Sequence, residues 1–183
     1  MLTGLKSASD LLFISQELEL PDTGIAVTRE VNLPLNTLER QIFVVTDIQA
    51  YVVDTVGQGS MDANQDIDAS WSISTQDLEP ILAPAQTGNI GNPRVLAAGG
   101  YSFSVGANGV TQRYREWGTD NATTGTPSDY IGIIATPDYY IRGQFNDAGG
   151  VARGNLYVRL VGYMAIANAD TYAALVTQEV NSQ

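Results

Sequence analysis

Oxygen-bearing side chains crowd one short stretch, where Asp62, Asn64, Gln65, Asp66 and Asp68 follow one another closely. Hard cations take several oxygen ligands from nearby positions, so this spacing resembles the opening of a calcium loop. The template fails further on, because it needs Gly where Ile67 stands and Glu where Ile73 stands. Asp66 and Asp68 also fall on the polar side of an alternating segment. The stretch therefore reads as a solvated acidic face. Asp62, Asn64 and Asp66 are kept as cation candidates, and no metal site is assigned.

A second concentration is Arg113-Tyr114-Arg115-Glu116-Trp117. Sugar-cleaving sites gather aromatics near a pair of carboxylates that serve as acid and base, and this is the nearest thing to one. Alternation puts Tyr114 and Glu116 on one strand face and Arg113, Arg115 and Trp117 on the other. An edge or interface strand whose Arg pair meets carboxylates is the simpler reading. With 20 acidic residues in the chain, spacing alone cannot single out a catalytic pair.

The absences exclude more than the motifs suggest. The chain has no His and no Cys. It can build neither a Ser-His-Asp triad nor a Cys nucleophile, nor a zinc or copper site of the usual nitrogen and sulfur kind. The commonest general base is missing as well. No catalytic residue is assigned and no cofactor is expected. Asn121-Ala122-Thr123 fits the N-glycosylation pattern; without an export signal it is expected to stay unmodified. Gly88–Gly91 and Gly99-Gly100 lack a strand-to-helix phosphate-binding context and read as turn glycines.

What must position these residues is a β fold. The segment Gln65–Thr75 places Ile67, Ala69, Trp71 and Ile73 on one face. Asp66, Asp68, Ser70, Ser72 and Ser74 take the other, the mark of a strand with one buried and one wet face. Gln41–Val56 is apolar on both sides. Ile42, Val44, Ile48, Ala50 and Val52 are expected to share one face, and Phe43, Val45, Tyr51 and Val53 the other. Asn155–Ala167 is similar: Leu156, Val158, Leu160, Met164 and Ile166 oppose Tyr157, Arg159, Val161, Tyr163 and Ala165. Strands apolar on both faces are covered on both sides or lie at a subunit contact.

Shorter strands are expected at Gln16–Leu20, Ile25–Leu33, Val95–Val105, Val110–Trp117, Tyr130–Ala135 and Tyr139–Phe145. Turn residues separate them, including the Asn108-Gly109 step. Eight or nine strands at this spacing predict an all-β sandwich or barrel. Asn168–Val180 reads as a helix behind an Asn168 or Asp170 cap, and Ser7–Phe13 as a short N-terminal one. A single domain spans 1–183, with an arm at 1–15 and a helical tail at 168–183. Tyr130, Tyr139 and Tyr140 suit core and interface positions. The interface candidates are Phe43, Tyr51, Arg113, Arg115, Trp117, Tyr157 and Tyr163. The four-residue apolar run Leu11–Ile14 is too short for a secretory signal, and no run nears the roughly 20 residues of a membrane span. The chain is expected to be soluble.

Charge adds a habitat. Thirteen Asp and 7 Glu face 8 Arg and a single Lys, Lys6, for a net charge of −11. Asp over Glu and Arg over Lys, with abundant Ala, Val, Thr and Gly, resembles the proteins of extreme halophiles. In molar salt the Debye length falls to about 3 Å, which screens such self-repulsion. Polyanion binding through a basic surface is excluded, since phosphate contacts need clustered Lys and Arg.

The strands Gln41–Val56, Gln65–Thr75 and Asn155–Ala167, together with the Asp-rich and Lys-poor composition, give the whole chain a resemblance. It is similar to the smaller of two major capsid proteins in icosahedral, internal-membrane viruses of halophilic archaea. The resemblance implies a single jelly roll of about eight strands standing vertically on the capsid. It also implies dimers, pairing with a second, larger capsid protein, lattice contacts through terminal arms and loops, and a lipid membrane beneath the shell. Location in the virion after assembly in host cytoplasm would follow, with no membrane insertion. An acidic subunit without a basic arm would be repelled by naked genome, and an internal membrane would separate the two. The alternative is a β-sandwich module that binds carbohydrate or another surface ligand without catalysis. A third reading, a carboxylate-dependent hydrolase, needs two carboxyls facing one cleft.

Overall fold

Alternation of apolar and polar side chains dictates strands along most of this chain. The computed structural model describes residues 5–21, 24–54, 66–84, 86–89, 91–105, 111–118, 130–147 and 154–181. Among the described residues ten strands and one α-helix follow in order, with a single 3-10 turn at Thr37–Glu39 between the third and fourth strands. They are β1 (Leu5–Ser7), β2 (Leu12–Leu20), β3 (Val27–Asn32), β4 (Gln41–Asp54), β5 (Asp66–Ser74) and β6 (Val95–Val105), then β7 (Thr111–Gly118), β8 (Gly132–Ile134), β9 (Asp138–Asp147), β10 (Gly154–Ala167) and α1 (Ala169–Asn181).

The strands form two antiparallel five-stranded sheets. In the first, β10 pairs with β4, and β4 with β8; the other edge of β10 is shared by β1 and β2. The second runs β3-β9-β5-β6-β7. Between them lies one apolar core. The first sheet contributes Leu20, Phe43, Leu156 and Leu160, and the second contributes Ile67, Trp71, Ile141 and Phe145. Trp71 points inward, as its alternation predicts. The chain is an all-β sandwich or barrel.

Three local expectations are corrected. The first is the helix at Ser7–Phe13. Leu5–Ser7 and Leu12–Leu20 are strands, both paired with β10. Seven residues are too few to hold an isolated helix. As a strand, the same sequence sends Leu12, Ile14, Leu18 and Leu20 toward the core. At the corner between the two strands the Met164 N–H donates to Ser9 Oγ at 2.9 Å, and the Ala8 N–H to the Met164 carbonyl at 2.8 Å. Only the C-terminal helix forms. The Thr171 N–H donates to Asn168 Oδ1 at 2.8 Å, the expected cap.

The second concerns β4, whose two faces exchange midway. Val161 pairs with Asp47, but Gly162 pairs with Val45, so Thr46 is an extra residue in a β-bulge. Its hydroxyl donates to the Val161 carbonyl at 3.1 Å. Phe43 and Val45 therefore point into the core along with Ile48, Ala50 and Val52. Ile42 and Val44 point outward, where α1 covers them with Tyr172, Leu175 and Val176. The bulge needs Gly162, since a Cβ there would sit 2.2 Å from the Val44 carbonyl oxygen.

The third concerns the wet face of β5. Asp66 and Asp68 are exposed, but Ser72 and Ser74 are buried. The connection between β5 and β6 folds back over them. Ser72 Oγ donates to the Thr87 carbonyl, Thr87 Oγ1 to Ser70 Oγ at 3.0 Å, and Ser74 Oγ to the Gln76 carbonyl at 2.7 Å. Hydroxyls allow this, because each finds an acceptor when water is removed. Carboxylates would not.

Candidate interaction surface

The outer face of the first sheet is divided. One half lies beneath α1, and the other half is open. Across the open half, cross-strand register builds three-residue rungs. Phe13, Val161 and Asp47 make one; Ser15, Arg159 and Gln49 the next; then Glu17, Tyr157 and Tyr51; then Glu19, Asn155 and Val53. Odd-numbered positions share this face because the side-chain period is two.

Two of the expected interface residues meet here. Tyr51 and Tyr157 stack with ring centroids 5.3 Å apart and planes 23° apart. Stacked aromatic pairs of this geometry contribute about 0.5–1.5 kcal/mol beyond their buried area. Yet Tyr51 is 58% exposed, and Phe13 and Val53 are 64% and 43% exposed. The Glu17 carboxylate beside Tyr157 pushes its phenol pKa up. On the next rung Arg159 Nε donates to Ser15 Oγ at 3.2 Å, and Gln49 Nε2 to Asp47 Oδ2 at 3.0 Å. Apolar and aromatic surface thus alternates with polar groups that already have partners.

Beside the stack a groove of about 840 Å³ opens where the two sheets' edges approach, floored by Gln16, Glu17, Asn155 and Tyr157. Arg29 of β3 reaches across and donates from its guanidinium to the Glu17 carbonyl of β2. That contact ties the edge strands of the two sheets together. It also leaves a cation beside the carboxylates of Glu17 and Glu19.

The other sequence candidates lie elsewhere. Phe43 is fully buried in the core, because the bulge turns it inward, so it offers a partner no surface. Tyr163 packs against the α1 cluster. Arg113, Arg115 and Trp117 stand on β7 at the outer edge of the second sheet, and their side chains lie outside the described residues. So do Asp62 and Asn64. Asp66 is exposed at the start of β5. Among the described residues, no group of three acidic side chains could hold a metal ion. Phe13, Val53, Glu17 and Arg29 were not anticipated. Phe13 lay in a segment read as helical, which hid its place beside Val161. Val53 was placed on the Tyr51 face but not singled out.

Among known proteins the chain matches no family, and no curated protein is significantly similar to it. What the surface can do follows from its own chemistry. A sheet face with exposed aromatics and polar groups that have partners suits contact with another protein.

Proposed function

We propose that the chain is a structural virion protein, a major capsid subunit that self-associates and pairs with a second, larger capsid protein to build an icosahedral shell. The observation that carries this reading is the open half of the first sheet. There the Tyr51–Tyr157 stack, Phe13 and Val53 stand exposed on a surface of regular rungs. Aromatic residues are enriched where protein meets protein.

The strand order supports a jelly roll. The order β2-β10-β4-β8 opposite β3-β9-β5-β6, with β7 added at the edge of the second sheet, is compatible with two interleaved Greek keys. That fold serves capsids and lectins alike, so the fold alone does not choose a function. The net charge of −11 favours a position in molar salt and away from nucleic acid, over an internal membrane rather than against the genome.

Light scattering at multimolar salt and milligram concentrations tests the reading, with electron microscopy of the same material. Assembly should bury more than about 1,000 Å² per contact. It should be lost in the double variant Tyr51→Ser, Tyr157→Ser while the chain still folds, its melting temperature lower by no more than the few degrees (about 2–6 °C) that loss of the stack accounts for. A strict monomer, or a double variant that assembles as the parent does, would refute the proposal.

A further inference from the structure

The second sheet carries an opening of another kind. The β5–β6 connection and the turn into β9 enclose a cleft of about 520 Å³, lined among others by Gln76, Asp77, Ile81, Arg94, Asp138 and Tyr140. Small-molecule sites typically measure about 300–1,000 Å³. These residues come from separate stretches of chain, and several of their polar groups are held in place. Asp77 Oδ1 accepts the Glu79 N–H at 2.8 Å, and the Tyr140 hydroxyl donates to Asp138 Oδ2 at 3.1 Å. Thr136 Oγ1 donates to the Asp138 carbonyl at 3.1 Å, and the Thr75 N–H to the Arg94 carbonyl at 2.9 Å.

Arg94 is the unusual member. It is only 9% exposed, yet among the described residues it forms no ion pair. A buried guanidinium is retained where its planar donors have something to recognise. The amide of Gln76 and the carboxylates of Asp77 and Asp138 are planar groups too, and these can each engage two neighbouring hydroxyls. The Tyr140 ring, Pro80 and Ile81 supply apolar surface of the kind that meets the C–H face of a sugar ring. Two carboxylates against one guanidinium, in a chain of net charge −11, disfavour an anion.

We propose that this cleft is a binding site for a neutral saccharide. The assignment goes beyond a structural role and stands whether or not the subunit assembles. An array of neutral hexose, N-acetylhexosamine and sialylated glycans, probed with the full chain at multimolar salt, should give neutral hits. Calorimetric titration with the free form of the brightest hit should then show affinity falling about tenfold or more in Asp77→Ala and in Gln76→Ala, as expected for loss of a hydrogen bond at a charged or buried polar group. Gln76 is half-buried and Asp77 exposed, so the melting temperature should stay near that of the parent in Gln76→Ala and fall by no more than about 2–4 °C in Asp77→Ala, which also frees the Glu79 N–H. Binding of sialylated glycans alone, an array without neutral hits, or unchanged affinity in both variants would overturn the assignment. Release of reducing ends from the hit would overturn it in favour of hydrolysis.

Discussion

Arg142 holds the cover over the second sheet, and the structure sets how much its loss should cost. The side chain is 2% exposed, while its carboxylate neighbour Glu79 stands 3.9 Å away and is 67% exposed. The guanidinium is committed instead to neutral acceptors. Its Nε–H donates to the Gln86 carbonyl at 2.7 Å and one terminal nitrogen donates to Thr28 Oγ1 at 2.7 Å. Hydrogen bonds from a charged group contribute about 1.5–3 kcal/mol each, whereas an exposed ion pair contributes about 0–1 kcal/mol. Arg142→Met keeps much of the apolar stem and removes both bonds. Relief from burying a charge offsets part of that loss, and the exposed Gln86 can turn toward water. A net loss of about 2 kcal/mol is expected, or about 4–8 °C in melting temperature for a chain of this size. Glu79→Gln should change stability by less than about 0.5 kcal/mol. Circular dichroism melts at multimolar salt measure both, and hydrogen exchange at the Thr87 and Gly88 amides reports on the cover itself. An Arg142→Met chain that melts like the parent with unchanged exchange, or a Glu79→Gln chain that is equally damaged, would contradict this role of Arg142.

Four further outcomes are expected. Gly162→Ala drives a Cβ against the Val44 carbonyl and the Phe43 ring and should cost at least about 1–3 kcal/mol by urea denaturation. Tyr139→Phe removes a buried hydroxyl that has no partner among the described residues, so stability should hold or rise by about 1 kcal/mol. Burial pushes the Tyr139 phenol pKa far up, and burial followed by Asp138 pushes that of Tyr140 up to about 12. Unfolded tyrosines ionise near about 10, so the unfolded chain loses those protons first. The stabilisation is complete below that pH and should fall as pH rises above it, less steeply in Tyr139→Phe. Asn168→Ala should cost about 1 kcal/mol through the lost cap and speed amide exchange in the first turn of α1.

Strand existence was legible wherever a period of two separated apolar from polar residues. β5 and β10 follow their alternation closely, and Asn168 marks the start of α1. What the period could not show is what lies over a face. Ser72 and Ser74 read as solvated because serine suits water as well as a buried acceptor, and the covering residues come from the following connection. Nor could it show the bulge. In β4 both faces are apolar, so a one-residue shift at Thr46 leaves no trace in the pattern, and Phe43 was placed on the wrong side. Tyr51 and Tyr157 were identified by residue type alone. Their stacking depends on the register between β4 and β10, which pairs Tyr51 with Tyr157, 106 positions along the chain. The cleft around Arg94 was invisible for the same reason, since it draws on separate stretches of chain.

The divided outer face gives α1 a role in setting how adhesive the molecule is. Its 13 residues stand over Ile42, Val44 and Ala165, on the same face that leaves Tyr51, Val53 and Phe13 open. Fraying of this short terminal helix would uncover a second apolar patch beyond the polar rung of Asp47. The area available for contact is therefore metered by the helix, so a chain ending at Asn168 should bind a hydrophobic dye and precipitate sooner than the full chain. Helix propensity in α1 would then set how much of that apolar face is exposed.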